Sequence, residues 1–325
     1  MKKDLNDFDF LSERLAVKGQ AYIDGRLSSG KKESDAGQTQ QAFSVKWEAL
    51  KEESDNDQET WKIFQKDWYL KLYGFETEDS LRDFLSDKPL IIDAGCGKGY
   101  KAAWFAKLSP DSIVLGIDIS TSVIEASRRY SEIGNLYFIQ SDIAQMPLVD
   151  ESVDFISCDQ VFHHTPNPPS TLAEFRRLLK HEMFLCNYVY AKKALPRELL
   201  DEHFRTAVHG LKEDELWSLS DKLTDLGRTL SELNIEVDIP EIKELGIKGG
   251  KQDLQRFIYW NFIKCFWNEE LGREASVSNN FDWYAPSIAY RYNLNEFITM
   301  SETAGFEQVY IHQEEACHAG LFKAI

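Results

Sequence analysis

The sequence predicts an α/β fold, a mostly parallel sheet with helices on both faces, preceded by helical segments and interrupted late by a long, mainly helical insertion. Three observations predict it. Short apolar runs alternate with helix-period segments between Pro89 and Tyr190. The same alternation resumes from Leu294 to Ala324. The first apolar run turns into the first helix through DAGCGKG, residues 93–99, a glycine-rich corner at which bare backbone can meet a ligand.

Taken in order, residues 1–25 read as a helix with a loose apolar stripe, and 25–41 as a polar loop. Two or three helical segments follow between Phe43 and Phe84. Within them Trp61, Phe64, Trp68 and Leu72 recur at helical spacing and predict a packing face. Residues 90–93 are a short buried-type strand, 98–108 a helix, 112–117 a second strand, and 120–131 a helix capped by Ser120 or Thr121. Strands at 136–139, 153–158 and 183–190 complete the first run, with a helix at 170–180 behind a proline pair. Residues 191–290 read as mostly helix with some irregular chain. A helix at 294–304, a turn at Gly305, and strands at 306–313 and 318–324 close the chain.

Composition narrows the function classes. The 325 residues suffice for one elaborated domain or two. A formal net charge of −17 argues against broad binding to nucleic acid or anionic membrane. The five cysteines (Cys96, Cys158, Cys186, Cys265, Cys317) are widely spaced with no C-x-x-C pair, which suits reduced thiols better than a disulfide framework or a zinc site. No signal-peptide core and no membrane-length apolar stretch is visible. The expectation is a soluble, cytoplasmic protein without a metal.

Glycines 95, 97 and 99 admit two ligand classes. A dinucleotide wants G-x-G-x-x-G, but here the third glycine comes one residue early and Tyr100 stands where that pattern has glycine. Asp93 would add negative charge beside a pyrophosphate, and suits a ligand with a cationic end. Asp118 closes the second strand about 20 residues past the turn, where a carboxylate can accept both hydroxyls of a ribose. It otherwise reads as a helix-capping or surface acid. Asp142, after the third strand, can accept from an adenine amino group, or cap the short segment that follows. Asp159 and Gln160 follow the fourth strand, so four strand ends in succession carry polar ligand candidates at the sheet edge where open α/β folds bind.

IIDAGCGKG, GIDIS, QSDIAQMPL and SVDFISCDQVFHHTPNP resemble the successive motifs of class I S-adenosylmethionine-dependent methyltransferases. The small-molecule branch, similar to the ubiquinone- and menaquinone-pathway enzymes, is the nearest. The resemblance covers residues 88–190 closely and 294–324 in topology, where NLNEFITMSETAGFEQVYI is similar to the family's closing helix and strand. It implies a Rossmann-like seven-stranded sheet, with S-adenosylmethionine as cofactor and S-adenosylhomocysteine as product. By that resemblance Gly95, Cys96 and Gly97, with Asp93, approach the methionine portion, and Asp118 holds the ribose. Ile119 packs on adenine, and Ser141, Asp142 and Ile143 meet the adenine edge. Asp159 and Gln160 lie near the amino group and the transferred methyl. One departure is that the family's Pro-Gly-Gly turn before the fifth strand is replaced by LLKHEMFL.

The domains expected are a helical cap or lid over 1–88, a cofactor-binding core of 89–190 and 291–325, and a helical substrate-binding insertion over 191–290. Phe43, Lys46 and Trp47 are lid candidates. His163 and His164, after the fourth strand, are candidate general bases; packing or loop roles are the alternative. His203, Arg197, Trp283, Tyr284 and Tyr290 are candidate acceptor ligands. Arg197, Asp201 and Arg205 also fit a solvated salt-bridge ladder at i, i+4, i+8. Phe257, Trp260, Lys264 and Trp267 read as one helix face. The reaction expected is methylation of a small, natural-product-like, aromatic or isoprenoid acceptor, at oxygen first, with nitrogen or carbon as alternatives. A catalytically silent cofactor-binding partner subunit is the rival from another class, and an NAD-dependent dehydrogenase a more distant one. Homodimerisation is compatible with the sequence.

Overall fold

A computed structural model describes residues 10–11, 13–14, 37, 44, 55–208 and 210–325. The expectations for the rest of 1–54, including the lid candidates Phe43, Lys46 and Trp47, lie outside the described residues. In chain order the strands are β1 (Leu90–Ala94), β2 (Ile113–Asp118), β3 (Leu136–Gln140), β4 (Val153–Cys158), β5 (Leu179–Ala191), β6 (Glu236–Ile239), β7 (Gly250–Asp253), β8 (Arg291–Tyr292), β9 (Phe306–Gln313) and β10 (Cys317–Ala324).

The main sheet runs β3-β2-β1-β4-β5-β10-β9, with the two-residue β8 added against β5 as an eighth strand that the sequence does not reveal. β3, β2, β1, β4 and β5 pair in parallel, whereas β10 is antiparallel to both β5 and β9. Every residue of β1, β2 and β4 is buried, as parallel strands covered on both faces must be. Their side chains alternate between two cores. Leu90 and Ile92 join Leu172, Phe175 and Phe297 on one side, and Ile91 joins Tyr69, Trp104 and Phe105 on the other. The chain winds outward from β1 through β2 to β3 and then crosses back to β4. The carboxyl ends of β1 and β4 therefore flank the point where the winding reverses, the crevice that open sheets use for ligands.

Two local readings change. On the helix Asp55–Tyr73 the buried positions among residues 62–73 are Gln65, Tyr69, Leu72 and Tyr73, and Phe64 of the expected stripe is exposed. A polar residue, Gln65, takes part in the buried face, so a search for apolar spacing misplaces it. Before β5 the missing Pro-Gly-Gly turn is replaced by a strand that begins directly at Leu179. Glu182 takes a left-handed conformation (φ 64°), and the pairing with β4 shifts register between Val153 and Phe155.

The chain divides into two compact units, Met1–Tyr190 with Tyr290–Ile325, and Ala191–Ala289. The helices Asp55–Tyr73 and Glu78–Leu85, expected as part of a cap, belong to the unit that holds the sheet. The second unit contains the helices Leu195–Val208, Glu213–Glu232, Leu254–Asn261 and Gly272–Tyr284, and an antiparallel hairpin of β6 and β7. Within it Trp217 stacks on Phe281 at 4.0 Å, and Asn280 donates to Thr224 Oγ1 at 2.8 Å. The helix over 254–261 ends before Lys264 and Trp267, so these do not share its face.

Asn135 joins three pieces of the sheet unit. Its Nδ2 lies 3.1 Å from the carbonyls of Ala106 and Ser109 and 2.8 Å from that of Ser112, tying the end of the helix Tyr100–Leu108 to the entry of β2. Removing that donor leaves helix-terminal carbonyls without their partner. Asn135→Ala is expected to destabilise the protein by about 1–2 kcal/mol, read as a drop of a few degrees in Tm, with cofactor affinity unchanged.

Candidate active site

The glycine turn between β1 and the helix Tyr100–Leu108 is left-handed at Gly95 (φ 79°), Gly97 (φ 52°) and Gly99 (φ 77°). At two of these any side chain would also collide. A Cβ on Gly95 would stand 2.4 Å from Val161, and one on Gly99 would stand 2.6 Å from the Phe138 ring. The turn thus lies pressed against β3 and the segment after β4. The Gly95 and Cys96 N–H groups both reach the Ile117 carbonyl, at 2.7 and 3.0 Å.

Asp118, at the end of β2, accepts from Gly97 N–H at 2.9 Å and from Ser120 N–H at 2.8 Å. A carboxylate has about four lone-pair sites, so two remain for a ligand's hydroxyls. Ser141 N–H donates to the Asp118 carbonyl at 3.0 Å, which brings the ends of β2 and β3 together. Gln140 Nε2 reaches the Ile119 carbonyl at 3.1 Å. Asp142 caps Ala144 N–H at 2.9 Å, beside the buried Ile143.

The two acids flanking the crevice differ. Asp159 is buried and saturated. It forms an ion pair with Lys101, and accepts from Tyr73 OH at 2.9 Å and from Gln160 Nε2 at 3.1 Å. Gln160 is held in a left-handed conformation (φ 65°), and its amide also donates to Gln65 Oε1 at 3.0 Å. Burial keeps Tyr73 and Tyr69 as neutral phenols, their pKa values well above the usual tyrosine range. Among the described residues Asp93 has no ion pair, and its buried Oδ2 has no hydrogen-bond partner. Burial, with the charges of Asp159 and Asp118 behind it, pushes the Asp93 carboxyl up to about 7 against the pull of Lys101 and the Ala102 N–H. A buried acid that lacks a counter-charge is what a ligand with a cationic end would complete.

A family profile for a methyltransferase domain matches residues 85–255, more than half of the chain. The chain belongs to the class I S-adenosylmethionine-dependent methyltransferases. Among similar proteins, an uncharacterised 37.1 kDa transposon protein of Streptomyces fradiae is 40% identical over 93 residues, 27% of this chain and 26% of that protein. A ubiquinone biosynthesis O-methyltransferase of Glaesserella parasuis is 30% identical over 102 residues, 29% of this chain and 42% of that protein. A solved S-adenosylmethionine-dependent methyltransferase structure from Aquifex aeolicus aligns at 15% identity and TM-score 0.42, covering 79% of this chain and 92% of that one. The matches span about a quarter to a half of the curated relatives' lengths.

The residues of this methyltransferase fit its cofactor. S-adenosylmethionine carries an ammonium, a sulfonium and a ribose diol. The crevice offers the open Asp93 oxygen, the half-used Asp118 carboxylate, and the half-buried backbone at Gly95. Asp159, expected beside the amino group, already has Lys101 as its counter-charge, which leaves Asp93 as the acid open to a cation. Lys101, Tyr73 and Gln65 escaped the sequence reading because their partners lie 58, 86 and 95 residues away along the chain.

The candidate bases form a single 3-10 turn, Phe162–His164. His163 is 0% exposed, its ring tilted against that of Tyr190 with centroids 3.9 Å apart, and Nδ1 is 3.4 Å from the Tyr188 carbonyl. His164 is 6% exposed and 4.2 Å from His163. Of the acceptor candidates, Tyr290 is exposed and donates to the Pro166 carbonyl at 3.2 Å. His203 is exposed on the helix Leu195–Val208. Arg197, Trp283 and Tyr284 are buried and drawn together around Asp201, which accepts from them at 2.7, 2.8 and 2.9 Å. The Arg197–Asp201 pair is therefore a buried bridge and no solvated ladder, because the helix turns that face toward the aromatic residues of its own unit. Among the described residues no group of three or more His, Cys, Asp or Glu is placed to hold a metal, and all five cysteines are free and buried. Among them, too, no helix is long and apolar enough to cross a membrane.

Two expectations follow from the acids. Asp118→Ala is expected to weaken S-adenosylhomocysteine binding by about tenfold or more, measured by calorimetry, and to lower Tm by a few degrees, because the buried Gly97 and Ser120 N–H groups lose their acceptor. Cofactor affinity is expected to rise as pH increases from 6 to 8, because deprotonation of Asp93 supplies the charge that meets the ammonium; Asp93→Asn is expected to flatten that profile. The sign for the free protein is opposite. The Asp93 pKa is raised from 3.8 to about 7 in the folded state, so the stability it contributes is lost as pH rises through about 7. Asp93→Asn is expected to remove that loss in thermal melts.

Proposed function

We propose that the chain transfers a methyl group from S-adenosylmethionine to a small organic acceptor, with oxygen as the acceptor atom. The observation that carries the reading is the open Asp93 oxygen beside a left-handed glycine turn that Asp118 holds in place. That combination suits a cationic adenosyl ligand and not a pyrophosphate. Oxygen is favoured by the Glaesserella parasuis relative, named as an O-methyltransferase, over the part of the chain that it matches. The net charge of −17 supports a small-molecule acceptor over nucleic acid, and the free cysteines suit a reducing, cytoplasmic setting.

When bound, S-adenosylmethionine supplies a methyl carbon on a positively charged sulfur. The protein's part is to place an acceptor lone pair in line with the carbon–sulfur bond and to take the acceptor's proton. In this proposal Asp93 and Asp118 fix the cofactor's two ends. The Lys101–Asp159–Tyr73 group holds the end of β4 rigid, with Gln160 beside it. His164, the less enclosed of the two histidines, receives the proton, and His163 positions it by ring contact at 4.2 Å.

The test is to incubate the protein and the methyl-labelled cofactor with small-molecule extracts. Label in an organic-extractable product is expected. Cofactor binding with no transfer to any extract would favour the silent-subunit reading. Product chemistry distinguishes oxygen, nitrogen and carbon as acceptor. Once an acceptor is in hand, His164→Gln is expected to lower kcat by about 100-fold or more with S-adenosylhomocysteine affinity unchanged. An unaltered kcat would remove His164 from the proton path.

A further inference from the structure

Residues 191–289 hold a concentration of buried positive charge within an acidic chain. Trp283, buried on the helix Gly272–Tyr284, has four basic side chains about its indole. Lys264 Nζ lies 4.9 Å from the ring centroid, and Arg197, Arg205 and Lys193 lie at 5.2, 5.6 and 5.8 Å. Three of the four are oriented by backbone carbonyls. Lys193 donates to Ala191 at 2.7 Å, Arg205 to Pro286 at 3.2 Å, and Arg197 to Tyr259.

The fully buried carboxylate of the group, Asp201, is already taken by Arg197, Trp283 and Tyr284. Lys264 is different. It is 6% exposed, and among the described residues no carboxylate stands within ion-pair distance of it. Its ammonium donates to Tyr259 OH at 3.1 Å and otherwise faces the rings of Tyr259, Phe266 and Trp283. Asp201 and the half-buried Asp282 act on it only through space. Burial, reinforced by the charge of Arg197, pulls its pKa down to about 7.

A desolvated ammonium without a counter-charge costs more than contact with aromatic faces returns. Such a group either gives up its proton, as the lowered pKa of Lys264 allows near pH 7, or keeps it when something else supplies the opposite charge. Lys193, Arg205 and Trp260 are half-buried, whereas Lys264 and Trp283 are buried. We propose that this ring is an oxyanion-binding site for a small organic molecule, in which Lys264 meets a carboxylate or phosphate above Trp283 and Arg205 and Lys193 stand at the mouth. An ammonium is a point charge with rotatable donors, so it accepts either oxyanion without demanding the planar pairing of a guanidinium. The site is a property of this unit alone and is independent of the methyl-transfer reading.

The test uses the full chain, with calorimetry and thermal melts in inorganic phosphate and in benzoate against chloride at equal ionic strength. Saturable binding of at least one of the two is expected. Phosphate alone would identify a phosphorylated ligand, and benzoate alone a carboxylate. Lys264→Met is expected to weaken that binding by tenfold or more, and Lys264→Arg by much less. S-adenosylhomocysteine binding in the same variants is expected to be unchanged and shows that the sheet unit is folded. Should Lys264→Met fail to fold, Arg205→Met at the mouth is expected to lose at least threefold. Binding of neither anion by the wild-type chain overturns the proposal. So does full retention of binding in a folded Lys264→Met, or in Arg205→Met where that variant takes its place.

Discussion

The ion pair between Lys101 and Asp159 is the contact on which the site depends. Lys101 is in the first turn of the helix that follows the glycine corner, and Asp159 stands just past the end of β4. Their pairing locks together the two sides of the crevice, and Tyr73 adds a third element by donating to the same carboxylate. A buried pair contributes little net stability when intact but costs about 3–5 kcal/mol to break by removing one partner. Its main effect is therefore one of specification. It neutralises one of the two acids at the crevice and so decides that the other, Asp93, is the one left open.

That division of labour accounts for several nearby details. Gln160 holds a left-handed backbone that a non-glycine residue rarely adopts, and it is kept there by hydrogen bonds that its side-chain amide donates to Asp159 and Gln65. Gln65 also accepts from Tyr100 OH at 3.3 Å, so the helix Asp55–Tyr73 reaches both the glycine corner and the end of β4. The tyrosine at position 100, which argues against a dinucleotide at the level of sequence, is in the fold a donor that fastens this helix down. Polar atoms do the fastening because backbone near a ligand must stay in place whether or not the ligand is bound.

The unit of residues 191–289 applies the same physics differently. Arg197, Asp201 and Arg205 have the spacing of a solvated ladder, yet the helix turns Arg197 and Asp201 inward against Trp283 and Tyr284. Asp201 neutralises Arg197, and among the described residues no carboxylate stands within ion-pair distance of Lys264. Helical periodicity could not register this, since Lys264 lies past the end of its helix and owes its setting to Tyr259, Phe266 and Trp283.

The sequence alone determined what depends on local pattern. Strands buried on both faces are continuous apolar runs, and a strand that turns at once into a helix over a ligand needs glycine. Hence β1 to β5, β9 and β10 were legible, as were the corner at 93–99 and the acids at successive strand ends. The hairpin of β6 and β7 and the two-residue β8 were not, because exposed or very short strands carry no buried run. Tertiary structure decided which polar side chains meet, and with them the charge state of the site. Asp93, Asp118, Asp142 and Asp159 look alike as letters at strand ends. What separates them is a lysine 58 residues before Asp159, a tyrosine 86 residues before it, and, among the described residues, the absence of any such partner for Asp93 Oδ2. Charge pairing and desolvation act through space over a few ångströms, and local sequence pattern holds no record of which distant residue the folded chain will bring that close.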